Sequence, residues 1–127
     1  MRVIGHGIDM VEVARIKKEL DSPNKKWTEQ FCSAAEREQA DSPPVHSRYY
    51  AGRFAGKEAV AKTLGSGFAS GITWRTIEIL RRESGAPYVR LRDEALAFAK
   101  TLGITDWLIS ISHCGGITTA SVIAVGE

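Results

Sequence analysis

Glu58 and Lys62 stand one helical turn apart in "RFAGKEAVAKTLG", residues 53–65, among alanines and glycines. On a wheel of 100° per residue, Ala51, Phe54, Ala55, Glu58, Ala61 and Lys62 share one face. Arg53, Lys57, Val60 and Leu64 lie on another side. A carboxylate on a face suited to close packing is costly unless it is paired or bound to a cation. Two readings fit the spacing. One is an i to i+4 ion pair on a solvated helix; the other is a carboxylate and an ammonium aimed at a ligand.

Asp9 is a second acidic candidate, at the end of the first β-rich run "RVIGHGID". Locally it fits a helix N-cap, because "DMVE" carries an acid three residues on. Were Asp9 and Glu58 to converge, two carboxylates plus phosphate oxygens would make a hard-cation site of the Mg²⁺ kind. "SISH" puts Ser112 and His113 near a hairpin turn, where a strand end presents polar groups to a cleft. Adjacent strand residues face opposite sides, so the two are no nucleophile–base pair. Gly85 and Pro87 of "SGAP" read as turn residues. "GRFAGKE" is not a phosphate loop, having three residues between its glycines and Glu58 after the lysine. "GHGIDM" lacks the third glycine of a dinucleotide fingerprint.

The elements that must hold these residues alternate in type. The first strand is followed by a helix with Val13, Ile16 and Leu20 on one face and basic residues largely opposite. "SAAE", residues 33–36, has capping-box spacing and opens a short helix that ends at "DSPP". From about Ser47 to Leu64 the sequence is helix-rich, and the three glycines of "GSGFASG" stop it. "TWRTIEIL" and "YVRL" read as strands joined by the "ESGAP" turn. "DEALAFAKTLG" is helical, with Gly103 as its stop. "WLISISH" and "TTASVIAV" form a hairpin about "CGG". Residues 1–127 therefore make a single α+β domain of mostly antiparallel sheet with packed helices.

Composition narrows the class further. The chain of 127 residues is long enough for a core without metal or disulfide staples. A net charge of +2 gives no general argument for nucleic acid. Arg15, Lys17, Lys18, Lys25 and Lys26 cluster near the N-terminus, and an acidic partner or plain solvent would suit them. Cys32 and Cys114 lack any CxxC context and read as reduced thiols. No apolar run approaches a membrane span or a signal h-region, so the expectation is a cytoplasmic protein. A binding module for nucleotide or RNA, using the basic helix without turnover, is the competing class. It fits less well, because no aromatic residues interleave the basic ones as a stacking platform needs.

Taken in order, "GIDMVE", "RYYAGRFAGKEAVAKTLGSG", "GAP" and "SISH" resemble the holo-acyl-carrier-protein synthase family, the short single-domain branch of the 4′-phosphopantetheinyl transferases. The match spans nearly the whole chain, and "RFAGKEAVAKTLG" is its most specific part. The resemblance implies Mg²⁺-dependent transfer of 4′-phosphopantetheine from coenzyme A to a serine of acyl carrier protein, as in fatty acid biosynthesis. Adenosine 3′,5′-bisphosphate would be the other product. By motif position, Asp9 and Glu58 match the metal-binding carboxylates, Lys62 the lysine near the coenzyme A phosphates, and Gly65 the helix end close to the nucleotide. Arg53, Pro87, Ser112 and His113 fall where the family lines its coenzyme A pocket, and Arg48 is added to them. The family implies trimers with active sites between subunits, and Arg15, Lys18 and Lys25 would meet the acidic carrier protein. Two departures stand out: Thr76 where an acidic residue is expected, and the glycines and threonines of "HCGGITTASV". Neither touches the metal or phosphate positions.

Overall fold

A computed structural model of the chain describes residues 1–23, 26–65 and 71–127. In chain order the elements are β1 (Arg2–Glu12), α1 (Val13–Asp21), α2 (Trp27–Phe31), α3 (Ala34–Glu38) and α4 (His46–Leu64). A single 3-10 turn (Trp74–Thr76) then leads into β2 (Ile77–Arg81), β3 (Pro87–Leu91), α5 (Asp93–Thr101), β4 (Asp106–Cys114) and β5 (Ile117–Gly126). Strands β1, β5 and β4 form one antiparallel sheet in that order, and β2 and β3 form a separate ribbon.

The first strand runs three residues beyond Asp9. Asp9 pairs with Ala120 in mid-strand, and the ladder continues to Glu12 opposite Ile117. The N-cap reading of Asp9 is thereby corrected: α1 starts at Val13, whose N–H donates to the Gly116 carbonyl at 2.8 Å. Val11 is a strand former, and both it and Met10 have partners across the ladder that outweigh the local "DMVE" signal. The "TWRTIEIL" strand is also shorter than its alternation suggests. Residues 74–76 make the 3-10 turn because the Thr76 hydroxyl donates to the Thr73 carbonyl and accepts from the Thr73 N–H. The "SAAE" box forms as its spacing predicts, with Ser33 and Glu36 bonding reciprocally. The β4–β5 hairpin closes on Gly115 and Gly116, both at positive φ (57° and 79°), as a two-residue turn of the primed type requires.

Helix α4 is the hub. It lies between the inner face of the three-stranded sheet, with Val11, Ala120, Val122 and Ala124, and Ile77 and Ile79 of β2. It is buried nearly all round, which is why its two charged sides did not separate into a core face and a water face. Small residues let the sheet approach closely. A Cβ on Gly7 would sit 2.2 Å from the Ala59 carbonyl oxygen and 2.4 Å from Thr63 Oγ1, so only glycine fits where β1 crosses α4.

Lys57 is fully buried. Its ammonium bonds Glu36 Oε1 at 2.7 Å, the Trp74 carbonyl at 2.7 Å and the Ile77 carbonyl. Glu36 in turn accepts from the Ser33 and Ile79 N–H groups, both at 2.9 Å. One ion pair thus ties α3, α4 and the start of β2 together. The opposite face of the three-stranded sheet is open. Ile8, Met10 and Leu108 are each more than half exposed there, beside His6, Ser110, Ser112 and Ser121.

Candidate active site

The strand extension turns Asp9 toward α4, on the same face of β1 as Gly7 and Val11. Lys62 meets it there, donating to Asp9 Oδ1 at 3.0 Å and to the Ile8 carbonyl at 3.1 Å. The i to i+4 partner expected for Glu58 is therefore drawn to another carboxylate. Glu58 is half-buried beside both groups, and its pKa is raised. Burial is the main cause, then the Asp9 carboxylate, with Lys62 and Arg15 pulling the other way. Two carboxylates that repel each other at the edge of a packed helix make a hard-oxygen donor pair of the kind that suits a small cation. No cluster of three or more His, Cys, Asp or Glu side chains is found among the described residues. A hard divalent ion such as Mg²⁺ is compatible with so few protein ligands, because it keeps several waters and takes the rest from substrate phosphates. Lys62 is more than half exposed in this pair, whereas Asp9 is largely covered.

Five residues earlier on α4 the geometry is different. Arg53 is rotated by about 140° from Glu58 and faces a cavity of about 170 Å³. Arg48, Tyr49, Arg81, Pro87 and His113 are among its lining. The Arg53 guanidinium lies over the Tyr49 ring at 4.3 Å. It is 4 % exposed, and its Nε and Nη1 are buried without a hydrogen-bond partner. Unpaired buried donors of a permanent cation are costly, and a phosphate oxygen is the group that would satisfy them. His113 Nδ1 sits 2.6 Å from Thr118 Oγ1, which leaves Nε2 as the free ring nitrogen. Burial, then Arg48 and Arg53, lower the His113 pKa. An anion in the cavity would offset the two arginines and raise it.

The remaining candidates are placed as follows. Pro87 opens β3 on the cavity wall. Gly65 caps α4 in the left-handed region, φ 79°, with its N–H on the Ala61 and Lys62 carbonyls. Ser112 does not join His113: it points from β4 to the open face of the sheet and is absent from the cavity lining. Arg15 and Lys18 are exposed on α1, and the Arg15 guanidinium lies 5.3 Å from the centre of the Phe54 ring. Lys25 lies outside the described residues. Tyr49 and Arg81 line the cavity without having been singled out. Tyr49 to Arg53 is an i to i+4 aromatic–arginine spacing visible in the sequence, whereas Arg81 is brought in by the β2–β3 ribbon and carries no local signal.

Comparison with known proteins places the chain in a family. The model of the 4′-phosphopantetheinyl transferase superfamily matches residues 5–112. A holo-[acyl-carrier-protein] synthase of Maridesulfovibrio salexigens is 44% identical over 126 residues, covering 98% of each chain. The crystal structure of the Neisseria meningitidis holo-[acyl-carrier-protein] synthase superposes with a TM-score of 0.85 at 27% identity, covering 97% of this chain and 98% of that one. The Helicobacter pylori synthase in complex with coenzyme A superposes at 0.82 with 32% identity, covering 94% and 99%. The chain belongs to the 4′-phosphopantetheinyl transferase superfamily, a class of enzymes, and within it to the holo-[acyl-carrier-protein] synthase family.

Proposed function

We propose that the protein transfers the 4′-phosphopantetheine arm of coenzyme A to a serine of an acyl carrier protein, releasing adenosine 3′,5′-bisphosphate. The observation that carries this is the pair of complementary sites flanking α4: two carboxylates with an exposed lysine, and a buried arginine with two unpartnered nitrogens. Such a transfer needs charge neutralisation and in-line placement more than covalent catalysis by the protein. Asp9 and Glu58 would hold Mg²⁺, which supplies a positive charge for the pyrophosphate oxygens. Lys62, released from Asp9, places a point charge on a phosphate. Arg53 and His113, with Arg48, take the 3′-phosphate through charge-assisted hydrogen bonds, and Pro87 borders the adenosine. The serine proton goes to Glu58 or to a water beside it, the two acceptors the residue set offers.

Subunits complete the site in this reading. Glu58 and Arg53 look away from each other on one helix, so the two halves are joined across a homotrimer whose contact is the open sheet face. The apolar Ile8, Met10 and Leu108 support that surface, and Ser112 on the same face would reach a neighbouring subunit's pocket. Arg15 and Lys18 steer the acidic carrier protein, with Lys25 as the third contact. A cytoplasmic location accompanies the proposal; among the described residues no helix is long and apolar enough to cross a membrane.

The test is incubation with coenzyme A, Mg²⁺ and several apo carrier proteins, followed by mass spectrometry of the carrier. A phosphopantetheine adduct is expected. Folded protein that modifies none of them overturns the proposal. Salt-dependent RNA binding with no affinity for coenzyme A would point instead to the non-catalytic binding module.

A further inference from the structure

Arg81 shares the Tyr49 ring with Arg53: its guanidinium is 4.6 Å from the ring centre, while that of Arg53 is 4.3 Å from it. Two guanidinium groups sharing one small ring repel each other unless one is compensated. Arg81 is the compensated one. Asp41, in the segment before α4, accepts from Arg81 Nη1 at 3.0 Å and Nη2 at 2.7 Å in a bidentate fork. Gln39 fixes the same residue through its backbone, accepting from the Arg81 N–H at 2.8 Å and donating to the Arg81 carbonyl at 3.1 Å. The cavity therefore holds arginines of two kinds. Arg81 has its fork filled by a carboxylate, and Arg53 has Nε and Nη1 open.

We infer that Asp41 is a positioning residue: by locking Arg81 onto the Tyr49 ring, it sets the ring and leaves Arg53 open as a donor, with Arg48 and His113, for the 3′-phosphate of coenzyme A. This rests on the function proposed above. A carboxylate so close to a phosphate pocket would otherwise weaken anion binding, and the fork on Arg81 spends its charge locally. Asp41 has its pKa lowered, first by the Arg81 hydrogen bond, and Arg53 adds to that lowering, which places all three groups in one electrostatic unit. Without Asp41, Arg81 would carry an uncompensated charge toward Arg53 and would compete for the anion at a different position.

Calorimetric titration of the whole protein with coenzyme A and with 3′-dephospho-coenzyme A tests this. Wild type binds coenzyme A the more tightly of the two. Asp41→Asn raises the Kd for coenzyme A about tenfold, the size of one lost charge-assisted hydrogen bond, and leaves that for dephospho-coenzyme A unchanged. Asp41→Glu restores most of the difference, and Arg81→Lys, which keeps the charge but not the fork, repeats the loss. Tighter binding in Asp41→Asn, an equal change for both ligands, or no change overturns the inference while the function stands. A wild type that fails to distinguish the two ligands overturns the assignment of the 3′-phosphate to Arg53, and the inference with it.

Discussion

Glu58 is the residue whose environment asks most of it. Burial and the Asp9 carboxylate raise its pKa, so the folded protein binds its proton more tightly than the unfolded chain does. Stability is then lost as pH rises from the unfolded pKa through the folded one, and no cost remains below both. Glu58→Gln removes that cost. Without divalent metal the variant should unfold at higher urea than wild type at pH 7, and with a smaller difference at pH 4. Its transfer rate should fall about a hundredfold, the typical loss when one transition-state contact is removed. Retained activity at unchanged Mg²⁺ demand would take Glu58 out of the site. The sequence showed Glu58 as misplaced among small residues, but not what stood beside it. The register that turns Asp9 inward is set by β5, far along the chain. No local pattern around "DMVE" reports it.

At the scale of elements, α4 was legible in extent and illegible in orientation. Its alanines and its glycine stop marked the span, yet burial on all sides removes the periodic contrast from which a face is read. Lys57 shows the cost of that. It looked like part of a charged side, and it is the buried tie between α3, α4 and β2. Lys57→Met leaves the Glu36 carboxylate buried and unpaired, and should destabilise the fold by about 3–5 kcal/mol. Adding Glu36→Gln should recover part of the loss, read as the shift in urea midpoint between the single and double variants. A double variant no more stable than the single would show that Lys57 acts through packing alone. The capping box at Ser33 was readable because its chemistry is local, and its Glu36 anchors the same tie.

At the scale of the whole molecule, the proposed assembly and the proposed docking helix are separable. Leu108→Asp puts a charge on the open sheet face, on edge strand β4 beside Ile123. Light scattering should show monomers, and transfer should be lost as the two half-sites part, with the fold kept by circular dichroism. A trimer that survives the change would move the contact elsewhere. Arg15→Glu leaves the assembly intact and should raise KM for carrier protein several-fold with little effect on that for coenzyme A, since rim charges act mainly on encounter. Equal effects on both substrates would remove α1 from docking. Composition and charge pattern pointed to this helix. The apolar sheet face was hidden in the sequence, because alternation in β1 and β4 shows two faces but not which one the helices cover.

The ladder from Arg2↔Gly126 to Glu12↔Ile117 couples the first element of the chain to the last. During synthesis β1 emerges long before its partner exists, so Asp9 cannot take up its inward register until β5 has cleared the ribosome. Formation of the Asp9–Lys62 pair is thus a late, long-range event with a large loop-closure term. Ribosome-stalled chains lacking β5 should expose β1 to proteases that spare the finished protein.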